Sequence, residues 1–141
     1  MKICVTAGAA GLDAPVDPRF GRCPFFVVVD LDSMSESSMQ NTAAGAAGGA
    51  GIQAAQLVSQ LGASVLITGN VGPNAMQVLS SAGIEIYQSQ GGTVRDAVER
   101  FRRGELAKVS GPTAPPHGGM GRGMGPGGMG GGMGAGRGRR W

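Results

Sequence analysis

Two cysteines in 141 residues cannot build a disulfide framework of any size, and a reducing compartment keeps Cys4 and Cys23 as thiols. No apolar stretch approaches the length of a secretory h-region or a membrane span, and Met1-Lys2-Ile3-Cys4-Val5-Thr6 enters a strand at once. The expectation is a cytoplasmic protein with no membrane-embedded part. A G-x-x-x-x-G-K-[ST] loop and a Ser-His-Asp constellation are both missing, which leaves NTPase and hydrolase readings without their chemistry. Gly49-Ala50-Gly51-Ile52-Gln53-Ala54 superficially fits the dinucleotide fingerprint. No clear buried strand immediately precedes it, however, and the region about twenty residues on is Val71-Gly72, without the acidic ribose ligand. A nicotinamide enzyme is excluded.

Acid is absent from the end of the chain. Up to Ser110 there are eight Lys or Arg and nine Asp or Glu, net −1, whereas Gly111 to Trp141 carries four Arg and no acid, net +4. A body without net positive charge argues against broad nucleic-acid binding there, although the tail could attach to an anionic surface. Half of the 28 glycines fall in this tail, too many for burial to offset the chain entropy. The expected organisation is a single domain over 1–110 followed by a disordered Gly/Met/Arg-rich tail over 111–141.

Periodicity outlines the domain. Lys2 to Thr6 is a first strand, Ala7 to Pro18 a loop, and Phe25 to Asp30 a second strand whose unbroken apolar run predicts burial on both faces. A third strand around Met34 to Asn41 follows so closely that a hairpin is expected. Ala43 to Gly51 is a small-residue loop, and a helix from Ile52 to Leu61 stops at Gly62. Val65 to Thr68 is a fourth strand, Pro73 to Ser81 a second helix stopped by Gly83, and Glu85 to Tyr87 a fifth strand. Thr93 can N-cap a third helix, Val94 to Arg103, in which Val94, Ala97, Val98 and Phe101 form an apolar stripe. Together these predict a mixed five-stranded sheet, antiparallel in its first half and parallel in its second, with helices on its faces. The carboxyl ends of the strands, at Thr6-Ala7-Gly8, Thr68-Gly69-Asn70 and Gln88 to Thr93, form the expected ligand rim.

Three segments place backbone or positive charge where an anion could sit. Asp17-Pro18-Arg19-Phe20-Gly21-Arg22-Cys23 precedes the second strand, Gly48-Gly49-Ala50-Gly51 precedes the first helix, and Gly69-Asn70-Val71-Gly72-Pro73-Asn74 links the fourth strand to the second helix. A helix N-terminus offers unpaired N–H groups and the positive end of the macrodipole. Arg19 and Arg22 can donate to an anionic cluster, or can pin the loop by pairing with Asp13 or Asp17. Cys23 could place a thiolate near metal, but apolar neighbours raise a thiol pKa and favour a plain buried thiol; Cys4, mid-strand, reads as buried.

Taken in order over roughly the first hundred residues, these segments closely resemble the dinitrogenase iron-molybdenum cofactor biosynthesis family, which includes the orange proteins that bind a molybdenum-copper-sulfide cluster. The resemblance implies a ribonuclease H-like α/β fold and a non-enzymatic carrier of an anionic metal-sulfur cluster or of an iron-molybdenum cofactor precursor. It implies cluster donor and acceptor proteins as partners, and it implies a binding region made by Arg19, Phe20, Gly21, Arg22, Cys23, Gly48, Gly49, Gly51, Gly69, Asn70, Gly72 and Asn74. Many members carry a histidine in the Gly48 to Gly51 loop, whereas this chain has none there, which favours noncovalent holding by N–H donors and charge. A two-metal nuclease needs converging carboxylates, and the strands Ile3-Cys4-Val5-Thr6 and Val65-Leu66-Ile67-Thr68 have none.

The tail adds candidates of its own. His117, Met120 and Met124, followed by Met129 and Met133, are soft or borderline ligands that suit Cu(I), or else incidental residues of a solvated low-complexity segment, which is the preferred reading. Arg137-Gly138-Arg139-Arg140-Trp141 resembles Arg-Gly RNA-binding tails. The alternative function is therefore a cofactor-free interaction module that uses the same rim for a protein partner and the tail for nucleic acid.

Overall fold

The computed structural model describes residues 1–89 and 91–111. The chain order is Lys2–Ala7 (β1), Phe25–Asp30 (β2), Ser35–Gln40 (β3), Ala50–Gln60 (α1), Val65–Thr68 (β4), Pro73–Ser81 (α2), Glu85–Gln88 (β5), Val94–Arg102 (α3) and Ala107–Val109 (β6). The strands form one six-stranded sheet ordered β3-β2-β1-β4-β5-β6. As the spacing predicts, β1, β2 and β3 pair antiparallel, and β4 and β5 join in parallel.

The expected count of five strands is corrected to six. β6 is three residues long and largely exposed, too short to print a periodicity. It forms because Gly104, just past the Arg103 C-cap of α3, takes a φ of 72° and turns the chain back so that Val109 pairs with Ile86. α1 also begins at Ala50, earlier than expected, because Gly49 takes a left-handed φ of 71° as its N-cap.

Side-chain alternation divides the core between the two sheet faces. Cys4, Phe26, Leu66 and Ile86 face α1 and α2, meeting Ala54, Ala55, Val58, Ala75 and Leu79. Ile3, Val5, Val27, Val29, Val65 and Ile67 face α3, meeting Val94, Ala97 and Val98. Gly62 and Gly83, at φ of 78° and 76°, stop α1 and α2. At α3 the Thr93 hydroxyl accepts from the Asp96 N–H and the Asp96 carboxylate accepts from the Thr93 N–H, each at 3.1 Å, which closes a capping box.

What positions the site is the strap between β1 and β2, which lies across the carboxyl ends of β1 and β4. Asp17 N–H donates to the Thr6 carbonyl at 2.9 Å, and Asn70 N–H donates to the Pro18 carbonyl at 2.7 Å. The Thr6 hydroxyl donates to the Asp17 carbonyl at 2.7 Å and shares a hydrogen bond of 2.8 Å with the Thr68 hydroxyl. Gly69 permits this approach: a Cβ there would stand 2.5 Å from Pro18 Cα and 2.7 Å from the Pro18 carbonyl oxygen. The Asp17 carboxylate, 7% exposed, accepts from the Arg19 backbone N–H at 2.9 Å, from Arg19 Nε at 3.1 Å and from Arg19 Nη2 at 2.8 Å. These hydrogen bonds from Arg19 hold the Asp17 carboxyl below the usual aspartate range.

Two outcomes follow from the strap. Gly69→Ala loses about 2–3 kcal/mol in urea denaturation, because backbone rather than a flexible side chain must move. Gly72→Ala, with φ of −77° and nothing within 4 Å of the added Cβ, stays within about 0.5 kcal/mol; equal losses in the two variants would contradict the strap geometry. Because the Asp17 carboxyl has a folded value below the ordinary 3.8, the unfolded chain takes up the proton first as pH falls. The Asp17 contribution is therefore complete above 3.8 and is lost on acidification below it, and Asp17→Asn removes that portion of the stability-versus-pH curve.

Candidate functional site

α1 and α2 start with Gly49 and Gly72 as N-caps, neither start has a side-chain cap hydrogen bond, and neither first turn contains an acid. The first intrahelical bonds are Gln53 N–H to the Gly49 carbonyl and Met76 N–H to the Gly72 carbonyl, both 3.0 Å. The amides of Ala50, Gly51 and Ile52 in α1, and of Asn74 and Ala75 in α2, thus have no acceptor within their helices, while Pro73 has no N–H to satisfy. Both helix starts open onto one cleft of about 410 Å³, lined by residues 20–22, 48–52 and 72–75. Two dipole ends with the same sign of partial charge therefore share one concavity.

The close packing of the walls depends on glycine. Gly21 has φ of 100°, and a Cβ there would lie 3.0 Å from Gly51 Cα, so the 20–22 turn rests directly on the start of α1. A Cβ on Gly51 would in turn meet the Ala75 side chain at 3.4 Å. The cleft thereby gathers Phe20, Gly21, Arg22, Gly48, Gly49, Gly51, Gly72 and Asn74. Arg19, Cys23, Gly69 and Asn70 are not among its lining residues; they form the strap and the turn that support its wall. The expected rim at the strand ends is corrected: Thr6 and Thr68 are buried under the strap, so the opening is displaced to the helix starts. His117, Met120 and Met124, and the Arg-Gly segment, lie outside the described residues.

The two arginines, equivalent in sequence, have different partners. Arg19 commits Nε and Nη2 to Asp17, while Asp13 pairs instead with Arg95 at 3.3 Å. Arg22 donates from Nη1 to the carbonyls of Ala44 and Ala46, both at 2.8 Å. Its Nε and Nη2 have no protein acceptor among the described residues, and Arg22 is the charged side chain lining the cleft. Three N–H donors on a fixed guanidinium plane thus remain beside the helix starts.

Among the described residues, no Cys, His, Asp or Glu lines the cleft. Cys23 is fully buried, and its thiol is pushed up to about 11 by burial first and by the Asp17 carboxylate second. Burial pushes the Cys4 thiol up as well. Both are protonated at neutral pH, and the described residues contain no group of three or more His, Cys, Asp or Glu able to hold an ion. The donor set fits an anion that brings its own ligands. Sequence reasoning passed over Asn41, which is 4% exposed and hydrogen-bonded to both arms of the cleft. The spacing reads Asn41 as the last residue of the third strand, whereas β3 ends at Gln40 and only the fold reveals what the Asn41 side chain joins.

Three comparisons place these features among known proteins. The apo form of the orange protein from Desulfovibrio gigas is 49% identical and superposes with a TM-score of 0.78, over 80% of this chain and 96% of that one. A Thermotoga protein proposed to be a NifB protein is 32% identical with a TM-score of 0.71, over 80% of this chain and 97% of that one. An uncharacterised protein of Methanocaldococcus jannaschii is 29% identical over 96 residues, which are 66% of this chain and 81% of that protein. The model of the dinitrogenase iron-molybdenum cofactor family matches residues 1–104, a span that contains the strap, all of the cleft and the three helices described above, and the chain belongs to that family.

Proposed function

We propose that this protein is a small accessory carrier that holds an anionic metal-sulfur species in the cleft without forming bonds from its own side chains to metal. The cargo is a molybdenum-copper-sulfide cluster or a precursor of the iron-molybdenum cofactor, received from and passed to cluster-handling proteins in the cytoplasm. The family and the similarity to an orange protein support the accessory role and the cluster association. The observation that carries the noncovalent reading is the donor set: two uncapped helix starts and the free edge of Arg22 meet in one cleft that, among the described residues, is lined by neither thiolate, imidazole nor carboxylate. Sulfide and oxo ligands accept N–H hydrogen bonds, and partly apolar walls such as Phe20 and Ile52 strengthen both those bonds and the attraction to charge. Such a cargo leaves with its own ligands intact, which suits reversible transfer. The carrier performs no chemistry on it. A ribonuclease H-like classification and a domain over 1–110 belong to the same proposal; the Gly/Met/Arg-rich segment expected as a tail lies, from 112 onward, outside the described residues.

The two arginines test it. Titrated anaerobically with cuprous ion and tetrathiomolybdate, Arg22→Ala binds at least roughly tenfold more weakly, as expected when charge-assisted hydrogen bonds are lost, with the unfolding midpoint little changed. Arg19→Ala shows the reverse balance, lowering stability by leaving the buried Asp17 carboxylate unpaired while retaining most of the uptake. Unchanged uptake in a folded Arg22→Ala protein would remove Arg22 from the site.

A further inference from the structure

Two polypeptide arms frame the cleft on the side of Arg22: the turn at 20–24 ahead of β2, and the segment 43–49 ahead of α1. Their relative placement depends on one buried amide. Asn41, immediately after β3, donates from Nδ2 to the Cys23 carbonyl at 2.8 Å and to the Gly21 carbonyl at 3.1 Å. Its Oδ1 accepts from the Ala43 N–H at 3.0 Å, and its own backbone N–H donates to the Pro24 carbonyl at 2.8 Å. Both hydrogens and the oxygen of the side chain are thus used, the hydrogens on one arm and the oxygen on the other. From Ala43 the second arm continues through a turn closed by Ala46 N–H to the Ala43 carbonyl at 3.0 Å, which fixes the two carbonyls that receive Arg22 Nη1. Asn41 therefore acts on Arg22 twice, through the turn that carries Arg22 and through the acceptors that orient it.

We infer that Asn41 is a positioning residue for the cleft, its amide setting the separation of the two arms and the orientation of the Arg22 fork. The role in ligand affinity rests on the function proposed above; the role in arm geometry does not. Asn41→Asp removes the amide donors at nearly constant volume, and the uncharged Asn41→Ser separates that loss from the effect of a new carboxylate. An aspartate still accepts from Ala43 N–H but turns an acceptor toward the Gly21 and Cys23 carbonyls, so the first arm must shift. A residue that merely stabilised the fold would lower stability without singling out these arms.

The test uses the full chain. Amide NMR spectra of the metal-free Asn41→Asp protein are expected to show displacements concentrated at 20–24 and 43–51, with β1 and β4 unmoved. Its affinity for cuprous ion plus tetrathiomolybdate is expected to fall at least roughly tenfold, the scale typical when an outer-shell partner is removed. Thr93→Ala is the control: it breaks the capping box of α3 on the opposite sheet face, lowers the thermal midpoint and leaves affinity unchanged. Should Asn41→Asp fail to fold, Asn41→Ser, which retains one hydroxyl donor, is expected to show the same arm-localised displacements. Unmoved arm amides, wild-type affinity in a folded variant, or an equal loss of affinity in Thr93→Ala would overturn the inference. If the wild-type protein itself takes up no copper-thiomolybdate, the cluster reading fails, and the amide displacements alone decide the role of Asn41 in arm geometry.

Discussion

The contact between Gly69 and Pro18 is the constraint on which the rest of the site depends. A parallel sheet edge normally leaves its strand ends open to ligands, but here a strap of backbone lies across the ends of β1 and β4 and hydrogen-bonds to them. It comes so close that no side chain fits at residue 69. Closing the strand ends pushes the opening sideways, onto the starts of α1 and α2. The same strap delivers Phe20, Gly21 and Arg22 as the facing wall.

That displacement sets the chemistry. A cleft at the strand ends would have presented the hydroxyls of Thr6 and Thr68, which instead bond to each other and to the strap. A cleft at the helix starts presents amide hydrogens, whose acceptors must come from outside the helices. One guanidinium is added, held on two carbonyls so that its remaining hydrogens are pre-oriented, and little conformational entropy is lost when an acceptor arrives. Burial keeps the Cys23 thiol protonated, so under the proposed function recognition of an anionic cargo is separate from ligation.

Most of the fold was legible in the sequence because its elements obey local rules: continuous apolar runs for the inner strands, glycines at 62 and 83 to stop two helices, and Thr93 with Asp96 to start the third. β6 was not legible, since three residues with one Lys carry no period and acquire strand geometry only by pairing with β5. The glycines and Arg22 of the cleft were visible as a pattern of backbone exposure and charge. The division of labour between Arg19 and Arg22 was not, because it depends on which carboxylate the fold buries beside which arginine: Asp17 within the strap, with Asp13 left to Arg95 on the surface. Asn41 was invisible for a similar reason, its partners lying eighteen and twenty residues away in sequence.

The central claim is that the cleft carries a metal-sulfur cargo. It is tested most directly by an anaerobic visible absorption spectrum of protein isolated from its native host, with molybdenum, copper, iron and sulfur determined on the same sample. Charge-transfer bands accompanied by stoichiometric molybdenum and sulfur, with copper or iron, are the predicted result. A colourless, metal-free protein that also fails to take up thiomolybdate and copper would contradict it.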